Sequence, residues 1–362
     1  MERYIDINTF DYPLPDERIA KFPLENRSDS KLLVYRNGDI HQSRFGSLAE
    51  ELPSGSMLVF NNTKVIRARV IMHKPSGARI EVFCLEPHRP ADYERAFAMR
   101  GESEWSCVVG NLKKWKEGEV AIDFELDGIT HRLAAEIVER GTREHIVRFR
   151  WSAGCSFGQL LEILGRIPIP PYLNRNTEES DSADYQTVYS HIEGSVAAPT
   201  AGLHFSKHLL KRMEIKGIDS AFITLHAGLG HFRRVDVEDL SKHKMDSEQF
   251  EVTEQAAEAV NKAKREGHKV VAIGTTVMRT IETAVSTGGM IKAMDGWTNK
   301  FIFHPYEFTV ANAMVSNFQL PESTQLMMVA AFGGYENVMN AYDIAKQEGY
   351  RFGTYGDAML II

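Results

Sequence analysis

The chain has 362 residues, 43% of them hydrophobic and 25% charged, which is the composition of a globular protein with ample apolar material for a core. Its length favours two domains, because single cores usually stop growing at about 250–300 residues. The formal charge of −7 argues against a protein that coats nucleic acid through its overall field. A nucleic-acid partner would therefore need a local basic patch.

Three cysteines occur, at Cys84, Cys107 and Cys155. Their odd number and the lack of CxxC spacing favour neither a disulfide framework nor a cysteine zinc site. This cysteine usage predicts a protein of the reducing cytoplasm. The first residues lack the layout of a signal peptide, and the longest apolar run, residues 326–332, is too short to cross a bilayer. We therefore expect a cytoplasmic protein with no membrane partner.

Alternating apolar and polar residues dominate the segment 65–151. Its clearest runs are residues 80–85, 120–126 and 145–149, with turn residues between them. Period-two alternation is typical of short antiparallel strands, so this segment predicts a small barrel or sandwich. We expect an inserted β-barrel domain at 65–151 within a discontinuous α/β domain formed by residues 1–64 and 152–362.

After residue 151 the apolar spacing becomes helical, and strand–turn–helix units recur. Residues 220–226 and 269–273 have the pattern of buried strands, and Thr253 is placed to cap a helix between them. A further helix is expected from Gly274 to the glycine pair 288–289. Alternating strands and helices predict a three-layer α/β domain with a largely parallel sheet covered by helices.

Two loops combine imidazoles with small residues. Segment 198–205 joins a Pro/Gly loop to His204 just before a helix, and segment 224–232 places His226 and Gly228 where a predicted strand ends. Ligands gather at the carboxyl edge of α/β sheets, where such loops can present backbone N–H groups and an ionisable ring. The alternatives are a helix-entry loop in which His204 caps or packs, and a tight turn that needs glycine for positive φ.

Two further segments carry polar groups. His243 and Glu248 are candidates for acid–base work; a metal site is disfavoured because no HExxH or Cys/His array accompanies them, and a charged surface turn is the alternative. Residues 274–276, between a strand and a helix, can direct backbone N–H groups and the helix dipole toward an anion. Arg279 follows one turn later, and its alternative role is a surface ion pair with Glu282.

The segment 350–361 is rich in aromatic and polar residues for a chain end and contains Asp357. Chain ends usually fray and lack a distinctive composition, so these aromatic and polar residues indicate a functional site. The alternative is a C-terminal strand that completes the sheet.

Eight ordered segments carry a family resemblance over nearly the whole chain. They are residues 11–15 (Asp-Tyr-x-Leu-Pro), 60–66, 170–172 (Pro-Pro-Tyr), 185–189, 197–205, 224–226 (Thr-Leu-His), 274–279 and 355–361. With these motifs the chain resembles the S-adenosylmethionine:tRNA ribosyltransferase-isomerase family of the queuosine pathway. No single motif is decisive, but their collinear order argues strongly against a chance match.

The resemblance implies an α/β main domain with an inserted β-barrel. It also implies transfer and isomerisation of the ribosyl part of S-adenosylmethionine onto the aminomethyl-deazaguanine base of the tRNA anticodon, which gives epoxyqueuosine-tRNA and releases adenine and methionine. This chemistry requires removal of a proton next to the sulfonium and protonation of the departing adenine. We expect S-adenosylmethionine as co-substrate, no metal, the tRNA anticodon arm as partner and a monomeric protein.

The motif positions predict three groups of site residues. The catalytic candidates are His204, His226, His243, Glu248 and Asp357. The candidates for binding S-adenosylmethionine are Thr200, Ala201, Gly202, Gly228, Gly274, Thr275, Thr276 and Arg279. The candidates for binding the tRNA substrate are Asn61, Thr63, Lys64, Arg69, Lys113, Lys114, Tyr185, Gln186, Arg233, Arg234 and Asn317. A solvated lysine-rich turn is the alternative for the cluster of Lys113 and Lys114 beside Trp115.

Several motif positions differ from the expected family pattern. His231 stands where threonine is expected, and Asp246 and Gln319 stand where histidine is expected. These changes leave two alternatives open: a divergent paralogue that uses S-adenosylmethionine on another substrate, and a tRNA- or nucleoside-binding protein without catalysis. Retention of His204, His226, His243, Glu248 and Asp357 argues against the second.

Overall fold

The computed structural model describes residues 4–232 and 235–362. Within them the strands are β1 (Lys31–Arg36), β2 (Asp39–Arg44), β3 (Met57–Asn61), β4 (Thr63–Val65), β5 (Arg69–His73), β6 (Arg79–Arg89), β7 (Glu102–Gly110), β8 (Val120–Leu126), β9 (Ile129–Arg140), β10 (His145–Trp151), β11 (Gly165–Arg166), β12 (Ile192–Ser195), β13 (Asp219–Leu225), β14 (Glu248–Val252), β15 (Val270–Ile273), β16 (Met294–Thr298), β17 (Ala313–Asn317) and β18 (Ala358–Ile361). The α-helices are α1 (Leu48–Glu51), α2 (Tyr93–Ala98), α3 (Phe157–Leu164), α4 (Asp181–Asp184), α5 (Lys207–Ile215), α6 (Glu254–Arg265), α7 (Thr275–Thr283), α8 (Thr324–Gly333) and α9 (Tyr335–Gln347).

The main sheet has the strand order β16-β14-β13-β3-β15-β17-β18-β1-β2 in the described part of the chain. Its centre, β13-β3-β15-β17, is parallel, as the sequence predicts. The whole sheet is mixed, because β14, β16, β18 and β2 each pair antiparallel with a neighbour. For β2 the reason is local: Asn37 and Gly38 both have positive φ, which suits a tight hairpin turn after β1.

Helices cover both faces of the main sheet, which confirms the three-layer α/β class. Val59 of β3 packs in the core formed with α6, α7, α8 and α9. Its neighbours Leu58 and Phe60 pack in the core formed with α1 and α5 on the other face. Alternate residues of one strand point to opposite faces, and because both faces are buried, β3 is apolar from Met57 to Phe60.

The helix boundaries follow capping side chains. Ser156, Ser206 and Thr253 each accept the backbone N–H three residues further on, at the starts of α3, α5 and α6. Helix α7 ends at Thr283 rather than at the expected glycine pair 288–289, because Val285 forms an antiparallel bridge with Ile291 instead. Within residues 4–232 and 235–362, no helix combines the length and apolar character needed to cross a bilayer.

The second sheet is a closed antiparallel barrel. Strands β5, β6, β7, β10, β9 and β8 pair in that order, and a β8–β5 contact between Ala121 and His73 closes it. Helix α3 packs into the barrel core, where Trp105 stacks on Phe157 with ring centroids 5.2 Å apart. Strand β11 then pairs with β5, so the barrel sheet reaches Arg166. The domain division at residues 64/65 and 151/152 stays a prediction.

Candidate active site

A pocket lies at the carboxyl edge of the parallel strands of the main sheet. It encloses about 810 Å³, including its open mouth. Its walls come from seven chain segments: Pro170 and Tyr172; Tyr185; residues 197–201; His231 and Phe232; residues 274–276; Gln319, Leu320, Pro321, Ser323 and Gln325; and Gly353 with Thr354. This is the edge at which α/β sheets bind ligands.

One wall is the start of α7. Strand β15 ends at Ile273, Gly274 turns the chain with φ of +92°, and Thr275 begins the helix. Because glycine has no side chain to cap the helix, the first-turn N–H groups have no capping side-chain oxygen. Gly274, Thr275 and Thr276 all line the pocket, so this helix end can bind a carboxylate or another anion.

The short turn Thr200–His204 forms another part of the wall, next to the start of α7: a Cβ on Gly274 would lie 3.4 Å from the Cβ of Ala201. Thr200 and Ala201 line the pocket, and binding of S-adenosylmethionine by them stays a prediction. Gly202 does not line the pocket: a Cβ there would clash with the hydroxyl of Tyr189. The need for glycine at 202 is therefore explained by packing alone.

A second chamber adjoins the first and shares His231, Thr275 and Gln325 with it. It encloses about 370 Å³. Most of its other lining residues are apolar or charged. They are Gly230, Met245, Phe301, Ile302 and Met328, the charged Asp246, Glu248, Arg279 and Lys300, and the polar Thr324.

Glu248 is a buried carboxylate in this second chamber. It pairs with Arg279, its Oε1 accepts the Gly228 N–H at 2.7 Å, and His231 Nε2 lies 3.1 Å from the same oxygen. Burial alone would raise the pKa of Glu248, but His231, Arg279 and the Gly228 N–H lower it to about 2. Glu248 is therefore ionised at neutral pH. Gly228 and Arg279, both predicted to bind the ligand, contact this carboxylate. Arg279 also donates to the carbonyls of Thr298 and Lys300.

His204 is buried, and both of its ring nitrogens have partners. Nδ1 lies 2.9 Å from Ser30 Oγ and Nε2 lies 3.0 Å from Asn317 Oδ1, while the ring stacks on Phe45. Burial lowers the pKa of His204 to about 4. Asn317 also donates to the carbonyls of Gly353 and Thr354, so these contacts join three chain segments behind the pocket wall. Catalysis by His204 stays a prediction, and its contacts fit an orienting role.

His226 lies where the barrel meets the main sheet. Its Nδ1 lies 2.9 Å from Thr63 Oγ1, and its ring packs on Tyr93 with centroids 4.5 Å apart. Burial lowers the pKa of His226 to about 4. Neither chamber is lined by His226 or Thr63.

Nearby Asn61 bridges β3 to β13, since its side chain bonds both the N–H and the carbonyl of Leu225.

The remaining catalytic candidates lie outside both chambers. Asp357 is buried, and its two oxygens accept the backbone N–H groups of Lys31 and Arg351 at 2.8 and 2.7 Å. It therefore fixes the start of β1 to the C-terminal segment. The alternative prediction of a C-terminal strand is confirmed, because β18 lies in the main sheet between β17 and β1. His243 packs edge-on against Phe301, and burial lowers the pKa of the His243 imidazole.

The predicted tRNA-binding residues do not form one surface. Tyr185 lines the first chamber. Gln186 bonds the backbone of Val65, Lys64 pairs with Glu193 at 2.8 Å, and Arg69 pairs with Glu81 at 2.6 Å. Lys113 and Lys114 are exposed on a barrel turn. Arg233 and Arg234 lie outside the described residues.

The sequence predictions omitted several lining residues. Tyr172, whose hydroxyl bonds Thr354, lay in a recognised motif but was assigned no role. His231 and Gln319 were noted only as departures from the family pattern, although both line the first chamber. Gln325 belongs to none of the recognised motifs, so the sequence gives no signal for it.

Metal-ligating side chains do not converge here. Across residues 4–232 and 235–362, no group of three or more His, Cys, Asp or Glu side chains is placed to hold a metal ion. The polar groups that do converge are an imidazole, a carboxylate, a guanidinium and helix N–H groups. These groups can bind a charged ligand and transfer protons.

The fold and the pocket define a three-layer α/β protein with an inserted barrel and a ligand site at the carboxyl edge of its sheet. The chain matches the family model described as "Queuosine biosynthesis protein" over residues 7–361. It belongs to this family.

Curated relatives agree with this assignment. The chain is similar to the S-adenosylmethionine:tRNA ribosyltransferase-isomerase of Bacteroides fragilis, at 50% identity over 98% of this chain and 99% of the relative. The proteins of the same name from Phocaeicola vulgatus and Halothermothrix orenii are 48% and 42% identical, with the same coverage. Among solved structures, the chain resembles the S-adenosylmethionine tRNA ribosyltransferase of Thermotoga maritima, at 30% identity and a TM-score of 0.54, with 98% of this chain and 100% of that one covered.

Proposed function

We propose that the chain is an enzyme that transfers and isomerises the ribosyl part of S-adenosylmethionine onto the aminomethyl-deazaguanine base of a tRNA anticodon. Epoxyqueuosine-tRNA is the product, and adenine and methionine are released. Similarity to proteins named for this activity, over nearly the full length of each, carries the proposal. The enzyme acts in the cytoplasm as a monomer, without a metal.

The two-chamber pocket is the proposed binding site for S-adenosylmethionine. Two predicted segments, Thr200–Ala201 and residues 274–276, both line the first chamber, which supports this assignment. A carboxylate of the substrate would accept N–H groups at the start of α7, where the helix dipole also favours negative charge. Tyr172 and Tyr185 also line this chamber and make part of its wall aromatic, which suits a purine.

Product analysis tests the proposed reaction. The protein is incubated with S-adenosylmethionine and tRNA that carries the aminomethyl-deazaguanine, and the anticodon nucleoside is analysed by mass spectrometry. We expect an added epoxy-cyclopentanediol together with equimolar adenine and methionine. tRNA without the aminomethyl group is the matched control, because it lacks the accepting amine.

Two other results would contradict the proposal. Binding of both substrates without adenine release would indicate a non-catalytic RNA-binding protein. Adenine release without a modified anticodon would indicate a different acceptor.

The exposed barrel turn is a proposed contact for the tRNA backbone. Lys113 and Lys114 are exposed, whereas Trp115 is fully buried and donates its indole N–H to the Gly118 carbonyl at 2.8 Å. Trp115 therefore anchors the turn and cannot stack on a base. Since the whole chain carries a charge of −7, RNA binding has to depend on such local cations.

Charge reversal on this turn should weaken tRNA binding. In a Lys113→Glu/Lys114→Glu variant, we expect the slope of log affinity against log salt to become shallower by about 2, because each phosphate contact contributes about 1. S-adenosylmethionine affinity should not change. A Lys207→Glu/Lys211→Glu variant makes the same charge change on exposed positions of α5 and is the control. Equal slopes in the wild type and the barrel variant would show that this turn does not contact the RNA.

A further inference from the structure

His231 lies between the two chambers of the pocket. It belongs to the short turn Leu229–Phe232 that follows β13, and it lines both chambers. Its side chain is 14% exposed, so it is mostly desolvated yet still reaches the cavity. His204 and His226 line neither chamber. Among the imidazoles of the described residues, only that of His231 lines both.

A fixed carboxylate stands behind the His231 ring. Nε2 lies 3.1 Å from Glu248 Oε1, at ion-pair distance, although the angle falls outside that of a standard hydrogen bond. Glu248 is itself held by Arg279 and by the Gly228 N–H, so it cannot turn away from the ring. A carboxylate at one ring nitrogen favours the proton on that nitrogen and stabilises the imidazolium once it forms.

The other ring nitrogen is directed to a proton donor. Nδ1 of His231 lies 3.4 Å from the amide nitrogen of Gln325, which can only donate. If Nδ1 accepts a hydrogen from Gln325, Nδ1 carries a lone pair. The ring proton then lies on Nε2, next to Glu248. Both contacts favour the same tautomer. In this tautomer Nδ1 is the ring nitrogen that can take up a proton.

We propose that His231 is the general base of the reaction, with Glu248 and Arg279 as positioning residues. This inference rests on the proposed function, in which a proton next to the sulfonium must be removed. The C–H bond breaks, its electron pair stays on the carbon beside the positively charged sulfur, and the proton goes to Nδ1 of His231. The imidazolium that forms is stabilised by the carboxylate of Glu248.

Charged groups on several elements surround the ring. Glu248 and Asp246 lie on or just before β14, Arg279 lies on α7, and Lys300 follows β16. Glu86 of β6 in the barrel also interacts with Glu248 and Asp246, and burial together with nearby carboxylates raises the pKa of Glu86 to about 7. A pH profile of the wild type can therefore contain more than one titration, so each variant has to be compared over the whole pH range.

Replacing His231 by glutamine tests the inference. Glutamine keeps hydrogen-bonding groups but cannot take up a proton. We expect kcat to fall about 10²-fold or more, KM for S-adenosylmethionine to change by no more than a few-fold, and the acid limb of the kcat profile to disappear. In a His231→Ala variant, added imidazole should restore part of the rate, which a purely structural role would not allow. His208→Gln, at an exposed position of α5, is the matched control.

Each result has a distinct meaning. Wild-type protein that forms no product overturns the proposed function itself. An active wild type with unchanged kcat in His231→Gln overturns the assignment of His231 alone. Loss of kcat without imidazole rescue, or with an intact acid limb, overturns proton transfer by this ring. Circular dichroism and calorimetric affinity for S-adenosylmethionine confirm that each variant is folded, and His231→Asn replaces the glutamine variant if it is not.

Discussion

Replacing Arg279 by methionine is expected to lower the free energy of unfolding by about 3–5 kcal/mol, because it leaves the carboxylate of Glu248 buried without its cation. Both side chains are only 3% exposed. Arg279 also donates to the carbonyls of Thr298 and Lys300, which lose a partner as well. Urea unfolding of the wild type and the variant measures the difference.

An exposed pair provides the control for this prediction. Arg265 pairs with Glu258 at 2.6 Å on α6, with side chains 50% and 70% exposed. Exposed pairs contribute about 0–1 kcal/mol, so Arg265→Met should change stability little. If the free energy of unfolding falls by less than about 1 kcal/mol in both variants, the structural role given to Arg279 is contradicted. The predicted role of Arg279 in ligand binding alone would then be favoured.

Replacing Thr275 by isoleucine is expected to weaken S-adenosylmethionine binding about 10–100-fold. The extra carbon at the start of α7 intrudes into both chambers, and overpacking of this kind costs about 1–3 kcal/mol. The variant also loses a hydroxyl that can bond the ligand. Calorimetric titration with S-adenosylmethionine gives the affinity directly.

Thr280→Val is the control on the same helix. The Thr280 hydroxyl bonds the Thr276 carbonyl one turn back, and the side chain is buried and lines neither chamber. Its substitution should leave the affinity unchanged. Unchanged affinity in a folded Thr275→Ile variant would remove the start of α7 from the proposed binding site.

Tertiary contacts changed the meaning of several motif residues. His204 contacts Ser30 and Asn317, which lie 174 and 113 positions away in the chain. Asp357 bonds the backbone of Lys31, 326 positions away. A motif shows that a polar residue is present, but it does not show whether long-range neighbours use all of its hydrogen-bonding atoms. For that reason the sequence placed both residues in a catalytic group, whereas the structure gives each a set of internal partners.

By itself the sequence determined the features that depend on near neighbours. Capping residues and glycines set the helix starts, period-two alternation marked the barrel, and the turn at residues 274–276 marked a pocket wall, because each depends on local backbone geometry and side-chain spacing. Only the tertiary structure decided which side chains converge. His231, Glu248 and Arg279 come from three separate elements, and no local pattern encodes their contact, because it results from how β13, β14 and α7 pack together.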